Sequence, residues 1–88
     1  MDINEIINFP LMTESASVMV EKDNKLIFIV NLKAGKIDVK RAVETLYEVK
    51  VSKINMLITP QGVKKAFVKL KPEFKASDVA IKLGILKT

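Results

Sequence analysis

The sequence predicts a small α/β sandwich of the α+β kind, with helices packed on a four-stranded mixed or antiparallel sheet. Three observations predict it. Lys25–Leu32 is an apolar run of strand length. Residues 37–49 place Val39, Val43, Leu46 and Tyr47 on one helical face. Thr59-Pro60-Gln61-Gly62 stands between two alternating segments, as a hairpin turn does. With 49% of its 88 residues apolar and 28% charged, the chain has the makings of one packed domain, 1–88.

Ile3 to Phe9 is expected to form a short strand ended by Pro10. Thr13 suits the N-cap of a helix over Glu14–Lys22, which sets Glu14 at the positive end of the helix dipole. Asp23-Asn24 signals a turn. Lys25–Leu32 is apolar on both pleat faces, Leu26, Phe28 and Val30 against Ile27 and Ile29, and so belongs inside the sheet. Ala34-Gly35 breaks it. In the helix over 37–49, Lys40, Arg41, Glu44 and Glu48 lie opposite the apolar stripe.

Val51–Thr59 follows as a strand with Ile54, Met56 and Ile58 on one face and Lys53, Asn55 and Leu57 on the other. Val63–Lys71 returns antiparallel after the turn. Ser77 or Asp78 is expected to cap a last short helix that Gly84 ends. The order β-α-β-α-β-β-α implies one parallel connection through a crossover helix plus one hairpin, ferredoxin-like in general style. The expected strand order is 1-2-4-3, with the 25–32 strand inside.

Several function classes are disfavoured by composition. The chain lacks cysteine and therefore disulfides, thiolate metal sites and a cysteine nucleophile, which fits a reducing cytosol. Histidine, the commonest general base and metal ligand, is missing as well. The opening Met1-Asp2-Ile3-Asn4-Glu5 is acidic and polar, unlike a secretory leader. The longest apolar run, Leu26–Val30, falls far short of the ~20 residues of a membrane span. A soluble intracellular protein with no cofactor, metal or small-molecule substrate is expected. Asp38, Glu44, Glu48, Glu73 and Asp78 fall at ordinary surface spacing, and no glycine-rich phosphate loop accompanies them, so an enzyme is not expected.

Charge is unevenly spread. Residues 1–24 carry one lysine against five carboxylates, while residues 25–88 carry fourteen basic and five acidic groups. The basic part is the candidate for a polyanion and the acidic end is expected to face elsewhere. Alternation in the last strand turns Ala66, Val68 and Leu70 inward and Lys65, Phe67, Lys69 and Lys71 outward. Lysines around one aromatic ring suit RNA: ammonium groups meet phosphates and Phe67 covers a base or sugar. Lys53 and Asn55 extend this face. The alternative is that Phe67 packs beneath the C-terminal helix and the lysines are only solvated. A second basic group, Lys33, Lys36, Lys40 and Arg41, is either a solubilising face or a further contact, with Arg41 able to grip a phosphate through two hydrogen bonds. Lys65-Ala66-Phe67-Val68-Lys69-Leu70 touches the RNP1 signature of RRM domains, but its glycine, first aromatic and partner strand are missing.

Motifs along most of the chain, from Phe9 to Leu86, carry a family likeness. Phe9-Pro10-Leu11-Met12-Thr13-Glu14 opens it, and the run from Ile37 to Val51 leads into Ile54-Asn55-Met56. Lys64-Lys65-Ala66-Phe67-Val68-Lys69-Leu70 and the tail from Lys75 to Gly84 complete it. In this order and spacing the sequence resembles the universal large-subunit ribosomal protein twenty-three family in its archaeal form. The resemblance implies a cytoplasmic, ribosome-bound protein held on large-subunit ribosomal RNA at the rim of the peptide exit tunnel. It implies neighbouring ribosomal proteins as partners, and a docking point for nascent-chain factors such as the signal recognition particle. Glu14, beside Thr13, matches the family's acidic docking position. Lys40, Asn55, Lys64, Lys65 and Phe67 match positions expected at or near RNA. Three departures stand out: Ser15 replaces the usual Lys, Phe67 the usual Tyr, and the four-residue turn at 59–62 the long basic hairpin of bacterial members. So short a turn cannot reach a nascent chain inside the tunnel. The rival reading is a free-standing basic module that binds an acidic protein.

Overall fold

A computed structural model describes residues 2–83. Eight elements follow one another: α1 (Ile3–Ile6), β1 (Ile7–Pro10), α2 (Glu14–Asp23), β2 (Lys25–Val30), α3 (Lys36–Tyr47), β3 (Val51–Ile58), β4 (Lys64–Leu70) and α4 (Ala76–Leu83). The strands form one open sheet in the expected order, β1-β2-β4-β3. Every neighbouring pair is antiparallel. The parallel relation expected through the crossover helix is between β2 and β3, and β4 lies between them.

One face of this sheet carries the core. Leu26, Phe28 and Val30 of β2, Ala66, Val68 and Leu70 of β4, and Val51 and Ile54 of β3 meet Ile6, Val20, Val39, Ala42, Val43, Val79 and Ala80 from the helices. All six alanines of the chain are almost fully buried. Small side chains there let the helices approach the sheet closely, so a short chain can close a dense interior. No polar or charged side chain is buried among the described residues. The stripe of α3 is Val39, Ala42 and Val43, with Tyr47 partly covered. Leu46, in the helix's last turn, stays 44% exposed.

The expected strand over Ile3–Phe9 is half helix. The spacing of Ile3, Ile6 and Ile7 satisfies a helical turn as well as an extended segment, and local bonds decide between them. Asn4 N–H donates to the Asp2 carboxylate at 3.3 Å and Glu5 N–H to the Asp2 carbonyl at 2.9 Å, which caps a single turn. Ile6 is thereby carried into the core. Pro10 is the last residue of β1 rather than the residue that stops it, tolerated because β1 is an edge strand. β2 ends at Val30, earlier than expected, because Asn31 turns the chain: its side-chain oxygen accepts from Lys33 N–H at 2.9 Å and its own N–H donates to the Ile6 carbonyl at 2.8 Å.

Asn24 joins three parts of the fold. It caps α2 in the left-handed region, at φ 56°. Its amide donates to the carbonyls of Leu70 and Phe74 at 3.3 and 2.9 Å, and its side-chain oxygen accepts from Ala76 N–H at 2.6 Å. The first N–H of α4 is therefore satisfied by a residue about fifty positions away. Ser77 and Asp78, the expected caps, lie inside the first turn of a helix that begins at Ala76. Gly84, expected to end this helix, lies outside the described residues.

Asn24→Ala should lower stability by about 2–4 kcal/mol, from the left-handed backbone and the lost bonds together. Asn24→Gly, which relieves only the backbone, should cost less; both are read from the midpoint of urea denaturation. Tyr47, the chain's only tyrosine, stacks on Phe28 with centroids 5.7 Å apart and planes 12° apart. Burial pushes its phenol above the usual tyrosine range. The neutral ring is the form the fold favours, so its contribution is complete below the ordinary pKa and is lost as pH rises through the raised one. A phenolate absorbance titration should show a midpoint above the ordinary value that falls back in urea.

Candidate nucleic-acid interface

Strand register decides which side chains share the sheet's open face. Lys69 of β4 stands opposite Lys25 of β2 and Lys53 of β3, so three lysines form one cross-strand row. Phe67 stands between Ile27 and Asn55 in the next row, and Lys65 between Ile29 and Leu57 in the third. Phe9 of β1 extends that third row across Ile29. Four lysines thus border an apolar strip on a flat, rigid surface.

The strip is partly self-shielded. Ile27 and Ile29 are only 4% and 7% exposed although both lie outside the main core cluster. Phe67 is half-buried and likewise belongs to the open face, not to the core. Among the described residues the helical core contacts lie on the Ala66, Val68 and Leu70 side.

The electrostatics of this face follow from where the acids are not. The four strands contain five lysines (Lys25, Lys53, Lys64, Lys65, Lys69) and no Asp or Glu. Among the described residues nine further basic side chains and all ten acids lie outside the strands. The positive balance of the described residues is therefore carried by the strands. Dividing the sequence at residue 24 had located the asymmetry along the chain; in the fold it separates the sheet from the helices and loops.

The expected basic residues do not form one site. Lys53, Asn55, Lys65, Phe67 and Lys69 come together on the open face. Lys71 lies just past the end of β4, exposed, its N–H donating to the Lys50 carbonyl at 3.0 Å. Lys64 has the opposite parity and pairs with Val30 and Ile58. Its ammonium donates to the carbonyls of Ala34 and Leu32 at 2.6 and 3.3 Å and so braces the loop into α3. Lys33, Lys36, Lys40 and Arg41 are exposed on that loop and on α3, in the helical layer, interspersed with Asp38 and Glu44. The two acids are themselves engaged: Gly35 N–H donates to Asp38 at 3.1 Å and Val51 N–H to Glu44 at 2.9 Å.

Thr13 and Glu14 sit at the start of α2. Thr13 is the N-cap as expected, its hydroxyl accepting from Ala16 N–H at 3.1 Å, and Glu14 is exposed in the first turn. The hairpin is as short as the sequence suggests: Gly62 N–H donates to the Thr59 carbonyl at 2.9 Å, and Gly62 takes φ 80°. Among the described residues no group of three Asp or Glu side chains could hold a metal ion, and no helix is long and apolar enough to cross a membrane.

Sequence reasoning missed Lys25. At the start of a strand that is apolar on both faces, it reads as a turn neighbour. The available signal was parity, since residues 25, 27 and 29 must share a side. Phe67→Ala should cost less than half as much stability as Phe28→Ala, for which a loss of about 3–5 kcal/mol is expected of a fully buried ring. Urea denaturation of the two variants distinguishes a face residue from a core residue.

Comparison with known proteins adds two findings. The family model described as Ribosomal protein L23 matches residues 5–82. A curated relative, "Large ribosomal subunit protein uL23" of Methanococcus aeolicus, is 47% identical over 85 residues, which cover 97% of this chain and 99% of that protein.

Proposed function

From the premise that the chain belongs to the ribosomal protein L23 family, and is thus a cytoplasmic protein of the large ribosomal subunit, we propose that its open sheet face is held on large-subunit ribosomal RNA near the peptide exit tunnel. The observation that carries this reading is the location of the charge: four of the five strand lysines share the open face, and the strands hold no carboxylate. Lys25, Lys53, Lys65 and Lys69 neutralise phosphates, and binding gains chiefly from released counterions. Phe67 and its apolar neighbours cover a ribose or an unstacked base. Little base-edge reading follows from such a surface, because lysine is a point charge that meets phosphate without selecting sequence. Shape and position of the folded RNA select the site.

The helical layer remains for proteins. It lies on the opposite side of the sheet, is electrically mixed, and presents Glu14 at the exposed start of α2. Neighbouring ribosomal proteins and nascent-chain factors such as the signal recognition particle are the partners of that side. The protein acts by holding and presenting, with no turnover of its own. Lys33, Lys36, Lys40 and Arg41 provide a weaker, separate RNA contact, since Asp38 and Glu44 on the same helix reduce its field.

The test is binding of the purified chain to large-subunit RNA fragments matched in length, across a salt series. One fragment should bind tightly, with log affinity falling against log salt by roughly 0.7–0.9 per phosphate neutralised. Equal, weak binding to all fragments, or preference for an acidic polypeptide of matched charge, overturns the reading. Within it, Lys65→Glu should weaken RNA binding about tenfold or more and flatten the salt slope, whereas Lys82→Glu on α4 should do neither. Glu14→Ala should leave RNA affinity unchanged and weaken binding of the signal recognition particle; reduced RNA affinity would contradict the division of faces.

A further inference from the structure

The row formed by Lys25, Lys69 and Lys53 is unusual on chemical grounds. Side chains directly opposite in an antiparallel pair have Cβ atoms about 4.5–5.5 Å apart, and like charges there are destabilising. Lys69 has such a neighbour on each side. Adjacent strands lie about 4.8 Å apart, so the outer two of the three backbones are roughly 10 Å from one another. No strand supplies a carboxylate to relieve the row. The register shifts between Val51 and Lys53, yet Lys53 still stands opposite Lys69, and Lys25 opposite it on the other side.

From this geometry we infer that Lys25, Lys69 and Lys53 form a phosphate-binding site whose occupation stabilises the folded sheet. One tetrahedral anion between the ammonium groups replaces two like-charge repulsions with three attractions. The adjoining row, Ile27, Phe67 and Asn55, lies two residues along the strands, about 6.6 Å away. That spacing suits a nucleotide whose phosphate sits on the lysines and whose sugar or base lies against Phe67. The ligand class is therefore a phosphate group, with a nucleotide favoured over a free inorganic ion.

The consequence is linkage. An anion that binds the folded sheet and not the unfolded chain raises stability with its concentration. The free protein is accordingly self-repulsive at one end of its open face and becomes more stable on loading. This inference rests on the open face being the RNA-binding side, but its test needs no RNA.

Thermal unfolding of the full chain is measured at low salt, then with sodium chloride, sodium phosphate or adenosine monophosphate at matched ionic strength. Phosphate should raise Tm by roughly 4 °C or more beyond chloride, and the nucleotide should raise it at lower concentration. Lys69→Gln, which keeps the stem and removes the central charge, should raise Tm at low salt by roughly 2–6 °C and abolish the phosphate gain. Lys53→Gln should do the same more weakly, and Lys82→Gln on α4 should retain the wild-type response. Equal gains from chloride and phosphate, or a phosphate gain that survives Lys69→Gln, overturn the site. Should RNA bind the open face while the Lys69 response is missing, the site falls and the RNA reading stands. A Lys69-dependent phosphate gain supports the site, even where RNA fragments bind without selectivity and the RNA reading falls alone.

Discussion

A one-residue slip of β4 would exchange Ala66, Val68 and Leu70 for Lys65, Phe67 and Lys69 in the core. Everything else in this molecule depends on that slip being prohibited. β4 is paired on both sides, to β2 and to β3, so its register is held twice. Burying even one lysine without a partner costs far more than the slip could recover. The same alternation that drives three apolar side chains beneath the helices therefore presents two lysines and a phenylalanine outward. Fold and interface are two faces of one constraint, and a mutation that disturbs the register damages both.

The division of charge follows from the layering. Among the described residues the helices cover one side of the sheet, and their polar faces can hold both signs because i, i+3 and i, i+4 neighbours relieve each other. Acids also have local work there: Asp38 meets the N-terminal backbone of α3, Glu44 receives the first N–H of β3, and Glu14 sits near the positive end of α2. A strand paired on both sides offers carboxylates no comparable backbone partner, since its ladder already uses its N–H groups; Val51 N–H, which Glu44 receives, opens the edge strand β3. Placing every acid outside the sheet satisfies the helices and leaves the open face uniformly cationic. The cost is lysine beside lysine across three strands.

Long-range hydrogen bonds complete the small core. Asn24 and Asn31 each turn the chain, and each also reaches a distant segment: Asn24 the β4–α4 connection, Asn31 the end of α1. Lys64 does the same from a strand, bracing the loop that leads into α3. In a chain of this size, where the hydrophobic interior is limited, such polar ties hold the helical layer in place without placing any charge in the core.

Period and punctuation in the sequence alone determined most of the architecture: the two-sided apolar β2, the stripe of α3, the hairpin at Pro60-Gly62, the Thr13 cap and the inward and outward sides of β4. Those features are local, since a period of 2 or 3.6 and a turn residue act within a few positions. The sequence by itself also pointed to the family and to a basic surface for RNA. Tertiary structure decided the rest. Only the folded chain placed the first residues in a helical turn, gave α4 its cap from Asn24, turned Lys64 toward the helical layer, and set Lys25 level with Lys69 and Lys53. Each of these depends on which residues of distant segments stand opposite one another. Parity along a strand can be read from one strand alone; a row across three strands exists only once their registers are joined.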